Sequence, residues 1–110
     1  MDSLKLRRPL IVNGLDMTEL KYDFDGMTAF DMSRAGRLVK ENGNYINIPE
    51  LDAEYHFKIF CVAVTKQNQE ISVTDLDRLD ARDYAKATRL VRSFFFVGSE
   101  ELSQEITSDG

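Results

Sequence analysis

The run Asp75-Leu76-Asp77-Arg78-Leu79-Asp80-Ala81-Arg82-Asp83-Tyr84 holds four aspartates in ten residues, and it reads either as a cation loop or as a junction between helices. Hard cations take several carboxylate oxygens, and the EF-hand loop that gathers them for calcium has a glycine at its centre. No glycine is present here, and Leu76, Leu79 and Ala81 intervene with helical periodicity. Ser72-Val73-Thr74-Asp75 has the spacing of a capping box, in which a hydroxyl and an acid three residues on satisfy each other's backbone amides. Asp80 is placed to cap a second helix that begins at Ala81. The run therefore predicts a short helix from Ser72 to about Leu79 and a last helix from Asp80 to about Phe96, with no metal ligands. On that last helix Tyr84, Ala87, Leu90, Val91, Phe94 and Phe95 are spaced for one buried face.

Upstream, Asn47-Ile48-Pro49-Glu50 has the form of a helix start, because Pro is favoured at the first helical position and acids suit the positive dipole end. The helix it predicts runs to about Lys66. Tyr55, Ile59, Val62 and Ala63 form one stripe, while Phe57, Phe60, Cys61 and Val64 fill much of the remaining circumference. A helix apolar on most sides is covered by several neighbours, so this is the expected core helix. Before it, Thr28-Ala29-Phe30-Asp31 repeats the capping-box spacing and opens a helix to about Glu41, with Gly43 as a left-handed stop. Its apolar residues give two stripes, one through Met27 or Phe30 to Leu38 and one through Met32, Ala35 and Val39.

The first 24 residues have period two instead. Leu4 and Leu6 alternate with Lys5 and Arg7, Leu10-Ile11-Val12 meets Asn13-Gly14, and Leu20, Tyr22 and Phe24 alternate with charged residues. Asn-Gly between apolar runs is a strong hairpin signal, since both turn positions need φ > 0. Pro9 lacks a ladder donor, so the first limb is expected at an edge or bulged there. The expected fold is thus α+β, mainly α: an N-terminal β-hairpin packed on three longer helices and one short one.

Composition bounds the function. A chain of 110 residues supports one modest core, read as a single domain over 1–97 followed by a flexible acidic tail, 98–110. That tail holds Glu100, Glu101, Glu105 and Asp109 with no Lys or Arg, so of the net charge of −5 only −1 belongs to the body. A near-neutral body makes nucleic acid an improbable partner, because such binding needs a basic footprint. One cysteine, Cys61, forms no internal disulfide and fits a reducing compartment. No apolar run reaches the roughly 18 residues of a membrane span, and the first residues lack the layout of a signal peptide. A soluble cytosolic protein is expected, with no membrane partner.

Catalytic chemistry finds little support. His56 and Cys61 are the only residues of their types, and five positions along a helix they sit roughly 140° apart around its axis. Cys61 reads as a buried small hydrophobe and His56 as a partly exposed polar residue. No nucleophile elbow, phosphate-cradling glycine loop or paired-cysteine spacing occurs. No enzyme, catalytic residue or cofactor is expected. What remains is a surface: Arg82, Lys86, Arg89 and Arg92 form a basic stripe on the last helix, which is +3 over residues 81–92 once Asp83 is subtracted. The plain reading is a solvated face whose cations suit the helix C-terminus; the functional reading is a rim for an acidic partner helix. Phe94-Phe95-Phe96 cannot all be buried on one face of a helix, so at least one is expected to be exposed or to meet a partner.

Two segments together resemble the tail assembly chaperones of long-tailed bacteriophages, in particular the branch of Mu-like contractile-tailed phages. The first is Leu6-Arg7-Arg8-Pro9 followed by Asn13-Gly14 and Thr18-Glu19-Leu20. The second is Leu76 to Tyr84 ahead of an amphipathic helix that ends in Phe and Gly. The similarity spans residues 4 to about 98; it departs at Asp23-Phe24-Asp25-Gly26, where the family tends to have an Arg-Glu-Pro-like lead-in to the first helix. The resemblance implies a non-catalytic protein of the host bacterial cytoplasm, absent from the mature virion, that coats the tape measure protein and helps recruit the tail tube protein. Such proteins are often made in two lengths by ribosomal frameshifting, and Phe94-Phe95-Phe96 is a tripeptide that a run of uridines encodes. On this reading the partner-binding residues are Arg82, Lys86, Arg89 and Arg92 as rim with Phe94, Phe95 and Phe96 as anchors, on a chain that also has the option of homo-oligomerising. The alternative is a small protein- or nucleic-acid-binding adaptor of mobile-element origin that uses the same stripe.

Overall fold

Strands β1 (Asp2–Val12) and β2 (Leu15–Tyr22) pair antiparallel across Asn13-Gly14. Both turn residues have positive φ, 52° and 80°, the conformation a two-residue hairpin turn demands. The computed structural model describes residues 1–43, 45–46 and 48–97, so the acidic segment 98–110 lies outside the described residues. Along the hairpin Leu4, Leu10, Val12, Leu20 and Tyr22 are buried while the alternate positions face water. The ladder breaks around Pro9, as its missing N–H requires. Four residues of β1, Leu6 to Pro9, lie between the pairs Lys5–Glu19 and Leu10–Met17, where β2 has only Thr18.

The hairpin packs on a bundle of helices, giving a mainly helical α+β fold. Helix α1 (Ala29–Glu41) starts on the Thr28–Asp31 capping box, and Gly43 follows its end with φ 80°. Its buried side is Asp31, Ala35 and Val39, so the Met32–Ala35–Val39 stripe points inward and Phe30, on the other stripe, is 68% exposed. Helix α2 (Ala53–Gln67) begins later than its sequence implies. Pro49 opens a separate 3₁₀ turn (Pro49–Leu51), after which Asp52 adopts an extended ψ of 106° and its carboxylate caps the Tyr55 amide. The stronger side-chain cap displaces the proline as the helix start.

Every residue from His56 to Val64 is buried, and α2 touches α1, β2 and both later helices. It is the core helix. Helix α3 (Val73–Leu76) is a single capped turn that stops three residues before Leu79, and α4 (Ala81–Arg92) starts on the Asp80 cap. The α-helical ladder of α4 ends at Arg92 rather than at Phe96, and Ser93–Val97 continue as a π turn. Among the described residues, every buried side-chain nitrogen and oxygen has a hydrogen-bond partner.

Candidate partner-binding site

The inward face of α4 carries Asp83, Ala87 and Val91, one turn apart and each 0% exposed. Asp83 is the residue that joins this helix to the hairpin. Its carboxylate accepts from the Arg7 amide at 2.8 Å and the Arg8 amide at 3.2 Å, both donors left without strand partners by the bulge. The Lys86 ammonium lies 3.4 Å away and also donates to the Lys5 carbonyl at 3.1 Å. Burial alone pushes Asp83 up, but the two amides and Lys86 outweigh it and hold the carboxyl below the usual carboxylate range. Asp80 adds pairs to the Arg7 and Arg8 guanidiniums at 3.7 and 3.8 Å.

The other aspartates of the run are also occupied. Asp75 closes its capping box and meets Arg78 at 3.2 Å, and the Ser72 amide is the first reason its carboxyl lies below the usual range. Asp77 lies 3.7 Å from the ammonium of Lys58. Lys58 went unread in the sequence: it is 4% exposed on the core helix, held between Glu54 and Asp77. Each of the four carboxylates thus serves a cap, an amide or an ion pair within the fold. Among the described residues no cluster of three metal-ligating side chains occurs.

Of the seven sequence-predicted contact residues, Arg82, Arg89 and Arg92 are exposed along α4. Lys86 is committed to the Asp83 carboxylate and to the hairpin, and contributes its charge only from a fixed position. The π turn distributes the three phenylalanines. Phe94 is 47% exposed while its ring lies 5.3 Å from Phe24. Phe95 packs edge-on to Phe24 at 5.5 Å. Phe96 stacks on His56 at 4.8 Å and approaches Tyr55 at 6.4 Å. Phe95 and Phe96 therefore serve the fold first, and Phe94 is the ring with surface to offer. Arg89 and Arg92 border a shallow cavity of about 130 Å³ with Leu51, Ala53, His56 and Thr88.

His56 corrects its sequence reading. It is 3% exposed, and its Nε2 lies 2.9 Å from the Pro49 carbonyl, so this nitrogen carries the proton and donates. Burial beneath Phe96 pulls its pKa below the ordinary histidine value, and Arg92 acts in the same direction. No local signal announces this burial, because the covering ring comes from forty residues downstream. Cys61 is 0% exposed, and burial pushes its thiol up to about 12. A thiol that stays protonated is neither nucleophile nor metal ligand.

A second basic and apolar surface escaped the sequence reading. Met32, Ser33, Gly36, Arg37 and Lys40 of α1 face Ile46, Pro49 and Tyr55 across a groove of about 500 Å³. Its signal was present as Arg34, Arg37 and Lys40 at helical spacing. Comparison with protein-family models, with curated proteins and with solved structures finds no match. The resemblance to tail assembly chaperones rests on the two motifs quoted above. No helix among the described residues is long and apolar enough to cross a membrane.

Proposed function

We propose that this chain is a non-catalytic tail assembly chaperone of a long-tailed phage or prophage, which holds an amphipathic segment of the tape measure protein along α4 and assists recruitment of the tail tube protein. The observation that carries the reading is the outer face of α4. Arg82, Arg89 and Arg92 are exposed in a row leading to the half-exposed Phe94, and no carboxylate among the described residues pairs with them. An acidic amphipathic helix laid there meets charge along its rim and an aromatic anchor at one end. The arginines steer the encounter, and Phe94 supplies apolar area that excludes water. The fold is compatible with this role because the bundle satisfies its own buried polar groups without ion pairs from these three arginines among the described residues, and leaves Phe94 half-exposed.

Co-expression with a tape measure protein tests it. R89E/R92E is expected to lose co-purification while its melting curve stays close to that of the parent, since exposed substitutions generally shift stability by about 0.5 kcal/mol or less. Co-purification undiminished by R89E/R92E and by F94A removes this surface from the proposal. A gel-shift assay across salt concentrations addresses the nucleic-acid alternative. Binding that falls steeply with salt and is lost in R89E/R92E replaces the chaperone reading with that one.

A further inference from the structure

The groove between α1 and α2 has a volume of about 500 Å³, against about 130 Å³ for the cavity beside Arg89 and Arg92, and ligand pockets generally begin near 300 Å³. Met32, Ile46, Pro49 and Tyr55 give it an apolar floor, and Arg37 and Lys40 stand on one wall. Neither cation, nor Arg34 one turn before, pairs with a carboxylate among the described residues. Around the groove the apolar surface continues. Arg37 lies over the ring of Phe30 at 5.6 Å, and Ile48, next to the groove residue Pro49, is 53% exposed. Large apolar side chains gathered beside unpaired cations mark a contact surface.

We propose that this groove docks an acidic amphipathic segment, and that its occupant is the chain's own segment 98–110. Three observations select that occupant. The charge is complementary: the segment has Glu100, Glu101, Glu105 and Asp109 with no Lys or Arg, and the groove has Arg37 and Lys40 on its wall, with Arg34 one turn before. The apolar content matches, because Leu102 and Ile106 stand four apart in the sequence, a spacing at which two side chains of an amphipathic segment can enter one groove together. The starting point is adjacent, since the π turn ends at Val97 and the ring of Phe96 is 6.4 Å from that of Tyr55, a groove residue. Reach is ample: the eight residues from Gly98 to Glu105 span up to about 26 Å when extended, longer than the roughly 20 Å length of α1. The Arg89–Arg92 cavity, though near the same chain end, is too small to take both apolar side chains. This inference does not depend on the chaperone reading.

A spin label tests it in the full chain. S108C is labelled selectively because Cys61 is 0% exposed. The expected result is paramagnetic loss of amide signal at Met32, Gly36 and Lys40 of α1, removed by R37E/K40E and preserved in R89E/R92E, which changes net charge equally. A label at S103C is expected to give the same map, guarding against disturbance by either probe. Signal loss confined to Thr88–Arg92 overturns the proposal, as does no loss on α1 with either label. Loss that appears when unlabelled-spin, isotope-enriched protein is mixed with spin-labelled protein of natural isotope content places a second copy in the groove and also overturns it.

Discussion

Replacing Asp83 by Asn tests the joint between hairpin and bundle while changing shape very little. The carboxylate accepts the Arg7 and Arg8 amides at 2.8 and 3.2 Å from a fully buried position. Hydrogen bonds to a charged group are each worth about 1.5–3 kcal/mol. Asparagine keeps one acceptor oxygen but turns an NH₂ toward the second amide, so one bond is lost and the other loses its charge assistance. Arg7 and Arg8 are otherwise exposed, and water reaching their amides recovers part of the loss. The expected destabilisation is about 2 kcal/mol, or roughly 8–16 °C in Tm for a domain of this size. Asp83→Ala strips both acceptors and is expected to cost about 3–5 kcal/mol.

Urea unfolding followed by far-UV circular dichroism measures this, provided the m-value is unchanged. The pH dependence separates charge from shape. The folded carboxyl lies below its ordinary value, which is about 3.9 for an unfolded chain. Its contribution is therefore fully present above that value and is lost as pH falls through the folded pKa. The gap between parent and D83N should narrow on acidification below about pH 4. A gap under about 0.5 kcal/mol at pH 7, or one that persists in acid, would show that the carboxylate is not what holds the bulge to α4.

Other expectations are simpler. Thr28→Ala removes a reciprocal capping box and should cost about 1 kcal/mol, read from the same urea curves. Cys61 should resist maleimide in the native protein and react at the free-thiol rate once unfolded, because its thiol is buried and pushed up to about 12; rapid native labelling would contradict that burial. His56 is the only histidine, so its imidazole resonances are unambiguous and should titrate below the ordinary value of about 6.5. With the folded pKa lowered, its neutral form stabilises the fold at pH 7, and that contribution falls as pH drops through about 6.5.

Sequence reading succeeded where the governing interaction is local. The Asn13-Gly14 turn, the boxes at Thr28 and Ser72, the Asp80 cap and the Gly43 stop each involve atoms within four residues of one another, so residue type and spacing suffice. The placing of α2 at the centre followed from its apolar circumference. Where two local signals compete, the outcome follows energies that spacing does not rank: at Pro49 and Asp52 the carboxylate cap prevailed over the proline start. Helix α1 offers an imperfect apolar stripe through Phe30 and a second through Ala35, and the position of α2 selects the second.

The aspartate run shows the same division. Its residue types and intervals are enough to specify two helix starts, because a backbone amide at a helix N-terminus needs an acceptor close in the chain. They do not specify that Asp83 binds amides 75 and 76 residues away, or that Lys58 is sealed in beside Asp77, or which of three consecutive phenylalanines reaches water. Those depend on which segments packing brings together, and burial then sets the strength of each bond and the pKa of each group. Local hydrogen bonding is written in the order of residues; long-range pairing arises only when a shared core brings distant backbone and side chains within reach.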